Sequence, residues 1–383
     1  MNFQILTVLD ENTDKQKSAV IATLVDWNNA FPRQCPTLGV KAFIENGVRP
    51  SLIPVLMNYF QDREMSVKWN GSRSAPKRIN GGGPQGATLG ILEYLAQSNN
   101  NADCVDLQNK FKFIDDLTML EVLNLLTIGL YPFNLKNQVP SDIPVDYQFI
   151  DPENLQTQKH LDTINEWTKN QKMMINAQKT KAMVFNFTKD YQFATRLSLE
   201  NSPIEVISHA KLLGTIIQDD LKWDLNTANI VRKANSRMEL LKRVASFGAP
   251  LDDLKKIYVL YVRSVLEHSS VVWHSSLTDE NSEDLERIQK SAMKIILGNK
   301  YIDYKSALNY LQLDNLHDRR RELCERFAQK CLKNEKTKNM FPLSKNQHTM
   351  KMRNSEKYHV QFAKTTRLQN SPIIYMQNLL NGT

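Results

Sequence analysis

The chain has 383 residues, 41% hydrophobic and 23% charged, a balance that excludes a disordered or fibrous chain and leaves room for more than one buried core. Its net charge of +8 favours a polyanionic partner, because each Lys or Arg set against a phosphate releases counterions. No apolar run is long enough to span a bilayer. The longest, around Val122–Leu130, is broken by Asn124 and Gly129 and reads as a core helix.

In chain order, SAVIATLV (Ser18–Val25) is a short, β-branched apolar run, the pattern of a buried strand, and it ends on Asp26. Helical patterns follow at about Leu38–Ile44 and Ser51–Phe60, split by Gly47 and Pro50. Met65–Trp69 and Pro76–Ile79 read as two strands of a hairpin across Asn70–Gly71. The glycine loop Gly81–Gly86 opens into a helix from about Ala87 to Gln97. FKFIDDLTML (Phe111–Leu120) is apolar on both sides of Asp115–Asp116 and predicts two strands joined by an acidic turn. Tyr131–Pro152, with its four prolines, predicts an irregular loop. Leu155–Gln171 predicts a helix, Ala182–Phe187 a strand, and LLGTII (Leu212–Ile217) the last strand. Beyond Trp223 the periodicity is wholly helical. The four cysteines show neither disulfide nor metal-ligand spacing, and the N-terminus lacks a signal-peptide layout. Nucleus or cytoplasm is the expected compartment, with no membrane association.

Carboxylates carry the candidate chemistry. Two divalent ions about 3.5–4 Å apart can activate a hydroxyl and steady a leaving pyrophosphate, provided acids from separate strands converge. A buried strand ending at Asp26 and a hairpin turn holding Asp115 and Asp116 supply such acids, and adjacent strands would set Asp26 opposite Asp115. Two further Asp-Asp pairs compete. Asp252–Asp253 follows Pro250 at a helix start and reads as a cap, whereas context alone does not separate Asp219–Asp220 from the middle pair.

The motifs then resemble a known family. Asp26-Trp27-Asn28-Asn29-Ala30-Phe31 resembles the D-x-x-x-A-F motif of non-LTR retrotransposon reverse transcriptases. Pro84-Gln85-Gly86-Ala87-Thr88-Leu89-Gly90 resembles their PQG-S-x-LG motif, and Phe113-Ile114-Asp115-Asp116 their aromatic-x-D-D box. Asn176 and Lys179–Lys181 resemble the N-x-x-K segment, and Leu213–Gly214 the LG of the primer grip. These five motifs keep the family's order. Tyr258, Arg263, Glu267, Trp273, Leu285-Glu286-Arg287 and Gln289-Lys290 extend the likeness into the helical tail.

The resemblance implies an α+β polymerase palm, an antiparallel sheet with packed helices and partial fingers, followed by an α-helical thumb or C-terminal domain. The domains would be a remnant segment at 1–17, a palm at 18–224, a thumb at 225–333 and a basic tail at 334–383. The implied activity is RNA-directed DNA polymerisation with two Mg2+ ions, or Mn2+ in their place. RNA template, DNA primer and deoxynucleoside triphosphates would be the partners. Asp26, Asp115 and Asp116 would hold metal, and Lys179 would protonate the leaving pyrophosphate, its alternative being a solvated lysine. Phe31 would exclude a ribose 2′-hydroxyl, its alternative being plain core. Gln85 and Gly86 would offer backbone N–H groups to phosphate or template. Leu213, Gly214 and the basic run Arg319, Arg320 and Arg321 would meet nucleic acid, the default for the run being a solvated face.

The pattern also departs from the family. Only 25 residues precede Asp26, where the family places fingers, so a truncated copy with impaired activity is expected. Ile114 stands where alanine is common, and Ile-Leu-Glu-Tyr-Leu follows Gly90 in place of P-L-L-F. A catalytically inactive, nucleic-acid-binding remnant is the competing reading.

Overall fold

A computed structural model describes residues 1–15, 17–84, 86–128, 148–189, 191, 193–344 and 357–382. The chain divides into two compact units, Lys17–Ile207 (with Met1) and Asn2–Gln16 together with Ser208–Thr383. The N-terminal helix α1 (Asn2–Thr13) therefore belongs with the C-terminal half.

The first unit is a mixed α/β body. Its main sheet has the order β13-β9-β1-β7-β6. β1 (Ser18–Val25) is the central strand, and seven of its eight residues are buried, as expected of an apolar run flanked on both sides. α2 (Pro36–Glu45) and α3 (Ile53–Phe60) follow. Next comes a ribbon of four short strands: β2 (Glu64–Met65), β3 (Lys68–Trp69), β4 (Ser72–Arg73) and β5 (Lys77–Arg78). α4 (Thr88–Gln97) then leads to the hairpin β6 (Lys110–Phe113) and β7 (Asp116–Asn124). Val122 and Leu123 thus end a strand, correcting the helix read around Val122–Leu130. Strand geometry prevails there because Ala19 and Val20 of β1 pair with them in register. Of the loop read at Tyr131–Pro152, residues 131–147 lie outside the described residues.

β8 (Gln148–Ile150), α5 (Gln156–Asn170) and β9 (Lys181–Phe185) continue the unit. β10 (Phe193–Thr195), β11 (Ser198–Leu199), β12 (Ser202–Pro203) and β13 (Glu205–Val206) close it. β1 runs antiparallel to both β7 and β9, with Val25 opposite Leu117 and Leu24 opposite Lys181. One core joins Ile21, Val25, Trp27, Leu117, Met119, Leu161 and Ile164, fixing the end of β1 against α5 and the β6–β7 hairpin.

The second unit opens with β14 (His209–Leu212) and β15 (Thr215–Gln218). LLGTII therefore spans a hairpin, with strand residues on both sides of a two-residue turn at Leu213–Gly214, and is not one strand. Leu213 and Gly214 have φ of +45° and +88°, a turn geometry that glycine adopts freely. The unit boundary falls at 207/208, where the sequence reading put it at 224/225, because the hairpin packs with the long helix α6 (Asp224–Ser246).

α7 (Leu251–Ile257) runs through a π-helical turn at Tyr258–Arg263 into α8 (Ser264–Leu266). α9 (Ser270–Trp273), α10 (Asp279–Leu297), α11 (Tyr304–Leu311) and α12 (Leu316–Lys333) follow. α13 (Thr366–Gln369) and α14 (Pro372–Asn381) lie in the expected tail, where Ile373, Ile374 and Met376 are buried. α1 docks here too, with the Phe3 ring 5.0 Å from Phe327 and the Asp10 carboxylate 3.0 Å from Arg367. Among the described residues, no helix is long and apolar enough to cross a membrane.

Candidate active site

Asp26 is the first residue beyond the central strand, and the chain on the other side of it is clamped. Its backbone N–H donates to the Thr180 hydroxyl at 3.2 Å, and its carbonyl accepts from Asn176 N–H at 2.8 Å. The 176–180 turn thus docks on the Asp26 backbone, and Thr180 is completely buried. Lys179 projects from that turn, and its charge opposes the upward shift of the Asp26 pKa.

The β6–β7 turn consists of Ile114 and Asp115, since Phe113 pairs with Asp116. Extending the β1–β7 register by one residue beyond Val25–Leu117 brings Asp26 level with Asp116. That corrects the reading that set Asp26 opposite Asp115: the two-residue turn leaves Asp115 at the tip. Ile114 sits at φ +56°, an uncomfortable region for a β-branched residue, and the surrounding hairpin holds it there.

The three acids sense one another. Burial raises the Asp26 pKa, and Asp115 raises it further. Asp116 is raised by burial, then by Asp115 and Asp26. One oxygen of Asp26 is buried and has no hydrogen-bond donor among the described residues. Mutual repulsion plus an undonated oxygen suits a divalent cation. Among the described residues, however, no three acids, histidines or cysteines are drawn together into a ready-made metal cluster.

Phe31 is half-buried, and its ring centroid lies 5.0 Å from that of the buried Tyr94; Tyr94 in turn feels the charge of Asp115. The glycine loop lies across this turn, with Gly83 N–H donating to the Phe31 carbonyl at 2.9 Å and Gly82 N–H to the Gln34 carbonyl at 2.8 Å. Gly90 is demanded by close approach, because a Cβ there would meet the Pro84 carbonyl oxygen at 2.3 Å. Gly86 stands at φ +88° with open space around it, and α4 begins two residues later without a side-chain cap. Gln85 lies outside the described residues.

The other candidates fall in the second unit. The Leu213–Gly214 turn is braced by His268, whose Nε2 is 3.3 Å from the Leu213 carbonyl oxygen. Arg320 is fully buried, set 5.8 Å over Trp273 and bonded to His274 and Ser282. Arg319 is paired with Glu267 and Glu322, and of the three only Arg321 is exposed. The run therefore does not form one phosphate-facing surface, because helix periodicity turns Arg320 inward.

A different basic group, missed in the sequence, does share a surface. Lys233 and Arg237 line a cleft of about 440 Å³ with Gly214, Asn226, Ser264 and His268. Burial lowers the Lys233 pKa, and Lys211, Arg232 and Arg237 lower it further. The i, i+4 spacing of Lys233 and Arg237 on α6 was the available signal. Asp252 and Asp253 stand in the first turn of α7, and an Asp220 oxygen accepts from Lys222 N–H at 3.0 Å, so both rival pairs have local structural uses.

Three tail residues of the resemblance, Tyr258, Glu286 and Gln289, join one buried hydrogen-bond network. The Tyr258 hydroxyl donates to Gln289, whose amide donates to the Tyr304 hydroxyl at 2.8 Å and the Asp314 carbonyl at 2.9 Å. Tyr304 donates to Glu286, which also accepts from Leu316 N–H.

No family model matches the chain. It is 24% identical over 278 residues to a Drosophila melanogaster protein described as "Probable RNA-directed DNA polymerase from transposon BS". The chain is thus distantly similar to a protein described as a probable transposon RNA-directed DNA polymerase. The match covers 72% of this chain but only 28% of that relative, so the chain spans roughly a quarter of the relative's length.

Proposed function

We propose that the chain carries the nucleotidyl-transfer centre of a non-LTR retroelement reverse transcriptase, the first unit acting as palm and the second as thumb. The observation that carries this is the clamped Asp26 at the end of a central strand, with Asp116 and Asp115 on the neighbouring hairpin and Lys179 from the docked turn. The description of the similar protein as a probable RNA-directed DNA polymerase supports the same reading.

Asp26 and Asp115 would hold two magnesium ions, with Asp116 completing the second site. Bound there, the ions would activate the primer hydroxyl and stabilise the departing pyrophosphate. Lys179, on the 176–180 turn that docks on the Asp26 backbone, would give a proton to the leaving group. Phe31, steadied by Tyr94 and the glycine loop, would press against the sugar and exclude a 2′-hydroxyl. RNA template, DNA primer and deoxynucleoside triphosphates are the proposed partners, in the nucleus or cytoplasm.

The test is extension of a DNA primer on an RNA template by the full chain with Mg2+. Extension should fall at least about a hundredfold in Asp115→Asn and Asp26→Asn, the scale of losing a group that positions charge in the transition state. Equal extension by wild type and Asp115→Asn would sink the assignment. The basic cleft around Lys233 favours a second reading, a binding remnant without chemistry. Template–primer binding by a folded wild type that never extends would select it.

A further inference from the structure

The ribbon between α3 and the glycine loop has no part in the reading above, yet it carries the most exposed tryptophan of the chain. Trp69 is 81% exposed, whereas Trp27, Trp223 and Trp273 are buried and Trp167 is packed against the core. An indole left in water is unfavourable by its apolar area unless something covers it. The setting says what. Trp69 stands beside the Asn70–Gly71 turn, both residues of which have positive φ. Its neighbour Lys68 pairs across the ribbon with Arg73. Lys77 and Arg78 follow on the return strand, opposite Met65 and Glu64. The acids here are Asp62, ion-paired with Arg78, and Glu64. Among the described residues, Lys68 and Lys77 have no ion-pair partner. An exposed ring at the tip of a cationic ribbon matches the combination that holds single strands: a base stacks on the ring while cations follow the backbone.

The ribbon is also tied to the candidate centre. Its root is closed by Ile79 N–H donating to the Arg63 carbonyl at 2.8 Å. Arg63 lies 6.0 Å over the Phe60 ring and donates to the Gly82 carbonyl. The next residue, Gly83, donates to Phe31. A short chain of bonds thus runs from the ribbon root to the turn that follows Asp26.

We infer that the ribbon is a binding platform for a single-stranded stretch of nucleic acid, with Trp69 stacking on a base and Lys68, Arg73 and Lys77 meeting phosphates. The identification of the strand as substrate rests on the proposed function; the binding itself does not require catalysis.

The probe is fluorescein-labelled oligo(dT), titrated by anisotropy against the full chain without divalent metal, beside a duplex of equal length. Wild type should bind the single strand with quenching of tryptophan fluorescence. Trp69→Ala should weaken binding about tenfold and remove most of the quenching, while Trp69→Phe, which keeps a ring, should recover most of the affinity. Lys68→Ala combined with Lys77→Ala should lower the salt slope by about 1.4, at about 0.7 per phosphate contact. Unchanged affinity and slope in these variants, with wild type binding well, would overturn the platform and leave the proposed function standing. Wild type binding neither strand nor duplex would overturn both. A Trp69→Ala variant that binds normally but changes its sedimentation would make the ribbon a protein interface and end the inference.

Discussion

Replacing Glu93 should stabilise the first unit, and increasingly so as the pH rises. Glu93 is fully buried on α4, and among the described residues neither carboxylate oxygen has a hydrogen-bond partner. Its side chain lies against α2 at Gly39, where a Cβ would meet Glu93 Cγ at 2.5 Å. Burial pushes its pKa up from 4.5 to about 7, partly opposed by Arg63. Below pH 4.5 the group is neutral whether the chain is folded or not, and nothing is lost. Between 4.5 and about 7 the unfolded chain ionises first, so the folded state binds more protons and stability falls as pH rises. Above about 7 the loss is complete, and at about 1.4 kcal/mol per unit it amounts to about 3 kcal/mol. Glu93→Gln removes the ionisation but keeps two orphan polar atoms. It should match wild type near pH 4.5 and be about 3 kcal/mol more stable by pH 8. Glu93→Leu, which also removes the unpartnered polar group, should gain a further 1–3 kcal/mol or so at all pH values. The assay is urea unfolding at pH 4.5 and 8, read as the difference between variant and wild type. Asp10 in the second unit, also raised to about 7 by burial, gives a slope of the same sign in every variant and cancels in that difference. Parallel wild-type and Glu93→Gln stabilities across this range would refute the reasoning.

Arg320→Ala should destabilise the second unit by about 2–4 kcal/mol, because it empties a buried, hydrogen-bonded site over Trp273, whereas Arg321→Ala should stay within about 0.5 kcal/mol; thermal melts separate the two. Lys233→Ala with Arg237→Ala should reduce the salt slope of template–primer binding by about 2, near one per phosphate contact, while Arg321→Ala changes it by less than 1 or so. A slope that follows Arg321 instead would return the basic run to the nucleic-acid interface. Phe31→Val should let ribonucleotides into the extension product, since a clash does the discriminating; unchanged sugar selectivity would make Phe31 core packing alone.

Much of the candidate centre was legible in the sequence because its parts are local. The apolar run Ser18–Val25 specifies a strand wherever it is buried, and it stops at the polar Asp26. The two-residue acidic turn follows from strands of fixed alternation meeting at Ile114–Asp115. Gly82 and Gly86 of the loop take positive φ, which glycine adopts freely, and Gly90 just beyond it lies too close to the Pro84 carbonyl for a Cβ. What depended on partners distant in sequence was not legible. The facing of Asp26 by Asp116 depends on a register between strands about ninety residues apart. Arg320 reads as one of three basic neighbours, and only packing against Trp273 and His274 turns it from a surface charge into a buried one. Glu93 sits in an ordinary helical pattern, and its strain arises only where α2 closes over it. α1 reads as a leading remnant, yet Phe327 and Arg367 draw it into the C-terminal unit. Periodicity fixes elements because backbone hydrogen bonds and side-chain direction repeat along the chain. Burial, charge pairing and register are properties of two surfaces at once, so the tertiary structure decided them.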